Sequence, residues 1–176
     1  CREPELALAS LAQCWRAALA VEIVAITGTN GKTTTKDLVR AMLSGAGKTQ
    51  ATAGNFNNHL GLPLTLLNLD FDTRYGVIEM GASAVGEIKF LAGLTKPQVG
   101  VITNASAAHL SEFGSLENII EGKGELLESL APNGVAILNT DSPGFESWNE
   151  RAICLVVSWG TESGDHRWNR SESQSA

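Results

Sequence analysis

Basic charge is scarce in this chain: 13 Lys and Arg stand against 19 Asp and Glu, a formal net charge of −6 at pH 7. That balance argues against a nucleic-acid binder, which presents a basic face, and reads as an ordinary solubility margin. Cysteine is scarce as well. Cys1, Cys14 and Cys154 are odd in number and have neither metal nor redox spacing, so they are read as reduced thiols of a cytoplasmic protein. No apolar run reaches the ~20 residues that cross a bilayer, and no signal peptide precedes the first expected strand. No internal repeat is present. At 43% hydrophobic and 18% charged, the composition does not point to disorder, collagen or a coiled coil.

What is present is an alternation. Short β-branched or apolar runs at 21–27, 48–53, 75–80, 98–103, 134–139 and 153–159 predict strands. Helical patterns separate several of them: 4–19, 32–45 (with Leu38, Met42 and Leu43 on one face, stopping at Gly45), 84–94 and 115–130. Near-continuous apolar strands alternating with amphipathic helices imply an α/β fold, a mostly parallel sheet covered by flanking helices. At 176 residues the chain suffices for one domain with a real core, burying roughly 70% of its unfolded surface. The connection "TAGNFNNHLGLPLTLLNLD" is long and rich in Asn and Gly, as working loops are. The tail 161–176 is polar and aperiodic, and is expected to be loose or to belong to structure that this piece lacks. The chain opens on Cys1 in the middle of a helical pattern, which suggests a piece of something longer.

In an open parallel sheet ligands bind outside the carboxyl ends of the strands. After the first strand comes Gly28-Thr29-Asn30-Gly31-Lys32-Thr33-Thr34, running into a helix. The usual phosphate loop is G-x-x-x-x-G-K-[ST]. Here only two residues separate Gly28 from Gly31, and Ile26 occupies the position of the first glycine. A glycine turn with a threonine cap would explain part of the pattern. Strand, then Gly-Lys-Thr, then helix is more than a cap needs. The glycines let successive N–H groups point inward, the helix start adds partial positive charge, and Lys32 adds a full one. Thr33 offers a hydroxyl where a phosphate-bound Mg²⁺ needs a ligand.

The ends of the later strands carry further candidates. Glu79 closes the third strand, where nucleotide enzymes hold Mg²⁺, although alone it would read equally as a surface acid. The loop after the fourth strand supplies Asn104 and His109. By itself His109 is as readily structural or exposed as functional. Lys123 lies in a helix between Gly122 and Gly124, interior glycines that cost ~1 kcal/mol each relative to Ala. A solvated lysine is the default there, but the glycines predict that something approaches the backbone closely.

Together these residues resemble the ATP-dependent Mur ligases, most closely the MurF type. The matching stretches are "ITGTNGKTTTKDL", "TAGNFNNHLGLPLTLLNL", "YGVIEMGA", "GEIKFLAGLTKPQVGVITN", "AAHLSEFGSLENI" and "GKGELLESL…NGVAILNTDSP", over roughly residues 21–143. The short loop spacing is normal in that family. The loop is shared with folylpolyglutamate synthetases, and "GNFNNHLGLPLTLL" and "AHLSEFGS" are what favour the MurF type. The resemblance implies a P-loop NTPase-like central ATP-binding domain at 21–160, preceded by a linker helix at 1–20 left from an N-terminal domain. It also implies that the N- and C-terminal ligase domains are missing here, and that the motif contacting adenine lies beyond position 176.

The resemblance also assigns roles. Lys32 would contact the β- and γ-phosphates within the loop formed by Gly28, Thr29, Asn30, Gly31, Thr33 and Thr34. Thr33, Glu79 and His109 would hold Mg²⁺. Lys123 would be carbamylated, becoming an anionic group near a second Mg²⁺, with its glycines as room for the modification. Asn57 and Asn58 would lie between the phosphates and the substrate carboxylate. Lys32, Lys123 and His109 would be the catalytic set. The implied reaction joins D-Ala-D-Ala to UDP-MurNAc-tripeptide through an acyl phosphate, with ATP as the energy source. The isolated chain is expected to bind ATP weakly and not to ligate. Rival readings are another Mur-type or folylpolyglutamate-type ligase, a non-catalytic nucleotide-binding fragment, and a P-loop kinase or GTPase. The last would need a lid or a guanine motif such as N-K-x-D, and neither is found.

Overall fold

A computed structural model of the chain describes residues 3–107 and 113–167. Along the described residues the elements run α1 (Pro4–Ala18), β1 (Glu22–Thr27), α2 (Lys32–Ser44), β2 (Thr49–Ala51), α3 (Gly61–Leu67), β3 (Tyr75–Glu79), α4 (Glu87–Thr95), β4 (Val99–Ile102), α5 (Leu116–Glu128), β5 (Val135–Asn139), α6 (Phe145–Arg151), β6 (Leu155–Gly160) and β7 (His166–Arg167). The strands form a seven-stranded sheet in the order β2-β3-β1-β4-β5-β6-β7, and every pairing is parallel. The expected parallel α/β fold is therefore what the chain adopts.

Each central strand alternates between two apolar surfaces, because successive side chains of a strand point to opposite faces. Ile23, Ala25, Ile78, Ile102, Ala136 and Leu138 face one side and join the main core. Helices α1, α3, α4, α5 and α6 cover this side through residues such as Ala12, Leu66, Leu91, Leu126 and Trp148. On the other side Ile26, Val77 and Val101 form a smaller cluster, against which Val39 and Leu43 of α2 pack.

The structure corrects several sequence expectations. Leu38 and Met42 of α2 are 61% and 78% exposed, so the inward face of that helix is Lys36, Val39 and Leu43. The long Asn-rich connection contains α3, and α6 forms between β5 and β6; their 7-residue lengths fall below what helical periodicity resolves. The described part of the polar tail, 161–167, is tied to the sheet. Its His166 and Arg167 pair with β6, and the Asp141 carboxylate accepts from the amide and hydroxyl of Thr161. Cys14 and Cys154 are free thiols. No helix among the described residues is long and apolar enough to cross a membrane.

Candidate nucleotide site

β1 is flanked by β3 and β4, so its carboxyl end is the point from which neighbouring connections depart in opposite directions. The loop leaving β1 is sewn to the segment after β4. The amide of Thr29 donates to the carbonyl of Asn104 at 3.0 Å, and that of Asn30 donates to Asn104 Oδ1 at 3.1 Å. Thr103 returns its hydroxyl to the Asn30 carbonyl at 2.7 Å, and the Ser106 amide donates to Thr29 Oγ1 at 3.1 Å. Gly28 sits at φ 147°, and a β-carbon there would collide with the Thr103 hydroxyl. Gly31 takes the left-handed conformation, φ 80°, that turns the chain into α2. A side chain at either position would strain the turn.

This turn leaves a ring of donors. The N–H groups of Gly31, Lys32, Thr33 and Thr34 have no acceptor among the described residues; the first amide of α2 to find one is Thr35, bonded to Gly31 at 2.9 Å. Unsatisfied amides at a helix start form an anion cradle. Lys32 folds over the loop and donates to the carbonyls of Gly28 at 2.8 Å and Thr29 at 3.0 Å. Burial lowers its pKa, an effect partly offset by Glu79.

Glu79 ends β3 directly behind the loop and is 3% exposed. One carboxylate oxygen accepts from Thr33 Oγ1 at 2.9 Å, the other from Asn57 Nδ2 at 2.9 Å. The hydroxyl and carboxylate that the sequence pairs as metal ligands thus touch, in the first turn of the helix that holds the cradle. Asn57 is itself held, its carbonyl accepting from Gly81 at 2.8 Å. Asn58 turns its side-chain oxygen toward the amides of Leu60 and Gly61, at 3.2 and 2.8 Å, and organises the start of α3.

A cleft of about 640 Å³ opens in front of these groups and is lined by Gly28, Lys32, Asn57, Asn58 and Lys123. Its apolar lining is Val85, Phe90, Phe113 and Ile119. Lys123 is 4% exposed, and its ammonium lies 5.4 Å from the centre of the Phe113 ring. Burial, with a contribution from Lys32, pushes its pKa down to about 8. The close approach predicted from Gly122 and Gly124 is real but has another cause than room for a modified lysine. Gly122 faces Phe113, and Gly124 faces Trp148 and Arg151.

Lys32, Thr33, Glu79, Asn57, Asn58 and Lys123, separated in sequence, thus converge at one end of the sheet; Thr34 is exposed on the outer side of the same turn. His109 lies outside the described residues. Sequence reasoning missed Thr103 and Ser106, which fix the loop, and Thr52, whose hydroxyl accepts from the Glu79 amide at 2.9 Å. Their one signal was a threonine or serine just past a strand end.

Parallel strands, an amide cradle on a glycine turn and a hydroxyl-bound carboxylate beneath it define a phosphate-binding α/β domain of the P-loop kind. The model of the Mur ligase middle domain matches residues 26–176, and the chain belongs to the Mur ligase family. The UDP-N-acetylmuramoyl-tripeptide–D-alanyl-D-alanine ligase of Escherichia coli K12 is 42% identical over 147 residues, 84% of this chain and 32% of that protein. A crystal structure of MurF from Acinetobacter baumannii superposes with a TM-score of 0.88 at 38% identity, over 92% of this chain and 36% of that one. MurF from Thermotoga maritima in complex with ADP gives 0.85 at 34% identity, over 92% of this chain and 38% of that one. The chain spans about a third of the length of the curated relatives it matches.

Proposed function

We propose that this chain is the nucleotide-binding unit of a MurF-type ligase, which uses ATP to join D-alanyl-D-alanine to UDP-N-acetylmuramoyl-tripeptide. The observation that carries the reading is the contact between Thr33 and Glu79 beneath the open amides of residues 31–34. A triphosphate placed on those amides would meet Lys32, which leaves its two loop carbonyls to bind the β- and γ-oxygens. The known names of the relatives and the ADP-bound neighbour support the substrate and nucleotide assignments.

The donor set suits Mg²⁺, a hard cation that takes carboxylate and hydroxyl oxygens together with phosphate. Thr33 and Glu79 would hold it, with His109 as a further ligand, and it would neutralise charge on the transferring phosphoryl group. The tripeptide carboxylate attacks the γ-phosphorus, forming an acyl phosphate and releasing ADP. The amine of the dipeptide then adds to the acyl carbon, and phosphate leaves as the amide forms. This chain's part is orientation and charge: Lys32 and the amides fix the phosphates, and Asn57 and Asn58 border the path of the carboxylate. Lys123 faces the same cleft with its pKa near 8, so a useful fraction is neutral amine at physiological pH. That form can attack CO₂ and lose a proton, giving the carbamate. The anion would replace a buried cation beside Lys32 and supply an oxygen ligand for a second Mg²⁺.

Calorimetric titration with Mg-ADP tests the reading. Binding that is lost in Lys32→Ala and retained in Leu38→Ala is expected; no heat with the parent chain would overturn it. In the full-length ligase, phosphate release should require both the UDP-tripeptide and D-Ala-D-Ala. Labelled CO₂ should give a carbamate NMR signal that Lys123→Ala removes.

A further inference from the structure

Lys36 has no place in the phosphate site, yet it is 5% exposed. It lies one turn after Thr33 on α2, on the face that turns inward. Its ammonium donates to the carbonyl of Thr52 at 3.1 Å, and its Asp37 partner, 3.3 Å away, is at the surface. A buried lysine is costly to retain where an apolar residue would pack as well, so what it holds matters.

Thr52 is the residue that follows β2, and it is 2% exposed. Its amide donates to Val77 at 3.0 Å, while its hydroxyl accepts from the amide of Glu79 at 2.9 Å. Glu79 is thus gripped at both ends: Thr52 holds its backbone, and Thr33 and Asn57 hold its carboxylate. Helix α2 controls both grips, through Thr33 directly and through Lys36 by way of Thr52. Asn57 leaves the same segment five residues later, so the end of β2 also sets the second carboxylate contact.

We propose that Lys36 is a positioning residue for the metal-facing carboxylate, fixing the end of β2 against α2 so that Glu79 presents its oxygens to a divalent cation beside Thr33. This rests on the reading of Glu79 as a Mg²⁺ ligand. A lysine that merely tied α2 to the sheet would alter stability without discriminating between metal-bound and metal-free nucleotide.

Calorimetry on the intact chain separates the two cases, with ADP titrated in excess Mg²⁺ and in EDTA. Loss of an outer partner commonly weakens metal binding by about 10–100-fold. Lys36→Met is therefore expected to weaken Mg-ADP roughly tenfold while metal-free ADP changes less than about twofold, and Lys36→Arg should recover most of the loss. Thr52→Val, which keeps the lysine and removes the hydroxyl, should show the same metal-specific loss, and Thr52→Ser should not. Thr52→Val decides the matter if Lys36→Met fails to fold. Equal weakening with and without Mg²⁺, or none, overturns the proposal. Failure of the parent chain to bind ADP in either buffer overturns the nucleotide reading, and the proposal with it.

Discussion

Gly28 and Gly31 both carry positive φ, but they are required for different reasons. At Gly31 a β-carbon would meet nothing within 4 Å, so Gly31→Ala carries only backbone strain, roughly 1–2 kcal/mol. At Gly28 the β-carbon would displace the Thr103 hydroxyl and loosen the seam to β4. Gly28→Ala is expected to destabilise the fold more than Gly31→Ala, by several-fold in the unfolding constant, and to abolish ADP binding. Urea unfolding of the two variants checks the order. Lys123 gives a prediction with a pH signature. Its folded pKa is near 8 against an ordinary 10.5, so between those values the unfolded chain binds more protons and stability rises with pH. Below pH 8 the full penalty is present, about 3 kcal/mol as an upper figure for a shift of this size. Lys123→Met should therefore be more stable than the parent at pH 7 in CO₂-free buffer and should lose the rise between pH 8 and 10. Chemical denaturation across that range measures both.

At the scale of elements, α4 and α5 are joined by a carboxylate. Glu125 is 4% exposed and accepts from the amides of Gly86 at 2.5 Å and Lys89 at 2.9 Å, at the start of α4. It thereby fixes the start of α4 and the Gly86 edge of the cleft. Replacing it by Gln keeps the shape and removes the charge. Because bonds to charged groups contribute about 1.5–3 kcal/mol, Glu125→Gln should cost on the order of 2 kcal/mol, and amide exchange at Gly86 and Lys89 should quicken. An unchanged exchange rate would rule out this role for Glu125. Arg151, bonded to Glu121 and Glu128, ties α6 to α5 in a similar but more exposed way.

Legibility in the sequence followed the same scale. The central strands β1, β3, β4 and β5 were readable because strands buried in the middle of a parallel sheet are apolar nearly throughout. The two-residue β7 and the short helices α3 and α6 carry too few residues to show a period. The inward face of α2 misled because only part of its apolar set turns in: Val39 and Leu43 pack on the sheet, whereas Leu38 and Met42 face out and Lys36 is turned in by the carbonyl of Thr52. At the site, Lys32, Thr33 and Glu79 announced themselves by chemistry at strand ends. Thr52, Thr103 and Ser106 act through hydroxyls and amides, which any loop contains, so only tertiary placement could single them out.

At the scale of the whole molecule, the two faces of the sheet are unequal. Past α2, the register Val135↔Leu155 and Ile137↔Val157 sets apolar side chains on the less covered face, and Leu155 is 63% exposed. The parent chain should bind a hydrophobic dye such as ANS, and Leu155→Lys should reduce that fluorescence without shifting the unfolding midpoint by more than a degree or two. Fluorescence unchanged by the substitution would place the dye elsewhere.

The seam between the β1 loop and β4 has a consequence for biosynthesis. The phosphate loop is made early, but Glu79 lies 46 residues beyond Thr33, and Ser106 lies 77 beyond Thr29. Because β1 sits between two strands translated after it, a nascent chain leaving the ribosome carries the glycine turn long before anything can hold it. Translation must pass β4, and then the length of the exit tunnel, before the cradle can close on nucleotide. Domains fold as units during synthesis at about 5–20 residues per second, so this loop stays unformed for several seconds. A ribosome stalled before β4 has emerged should therefore display a chain that does not bind ADP, whereas one stalled after β5 is exposed should.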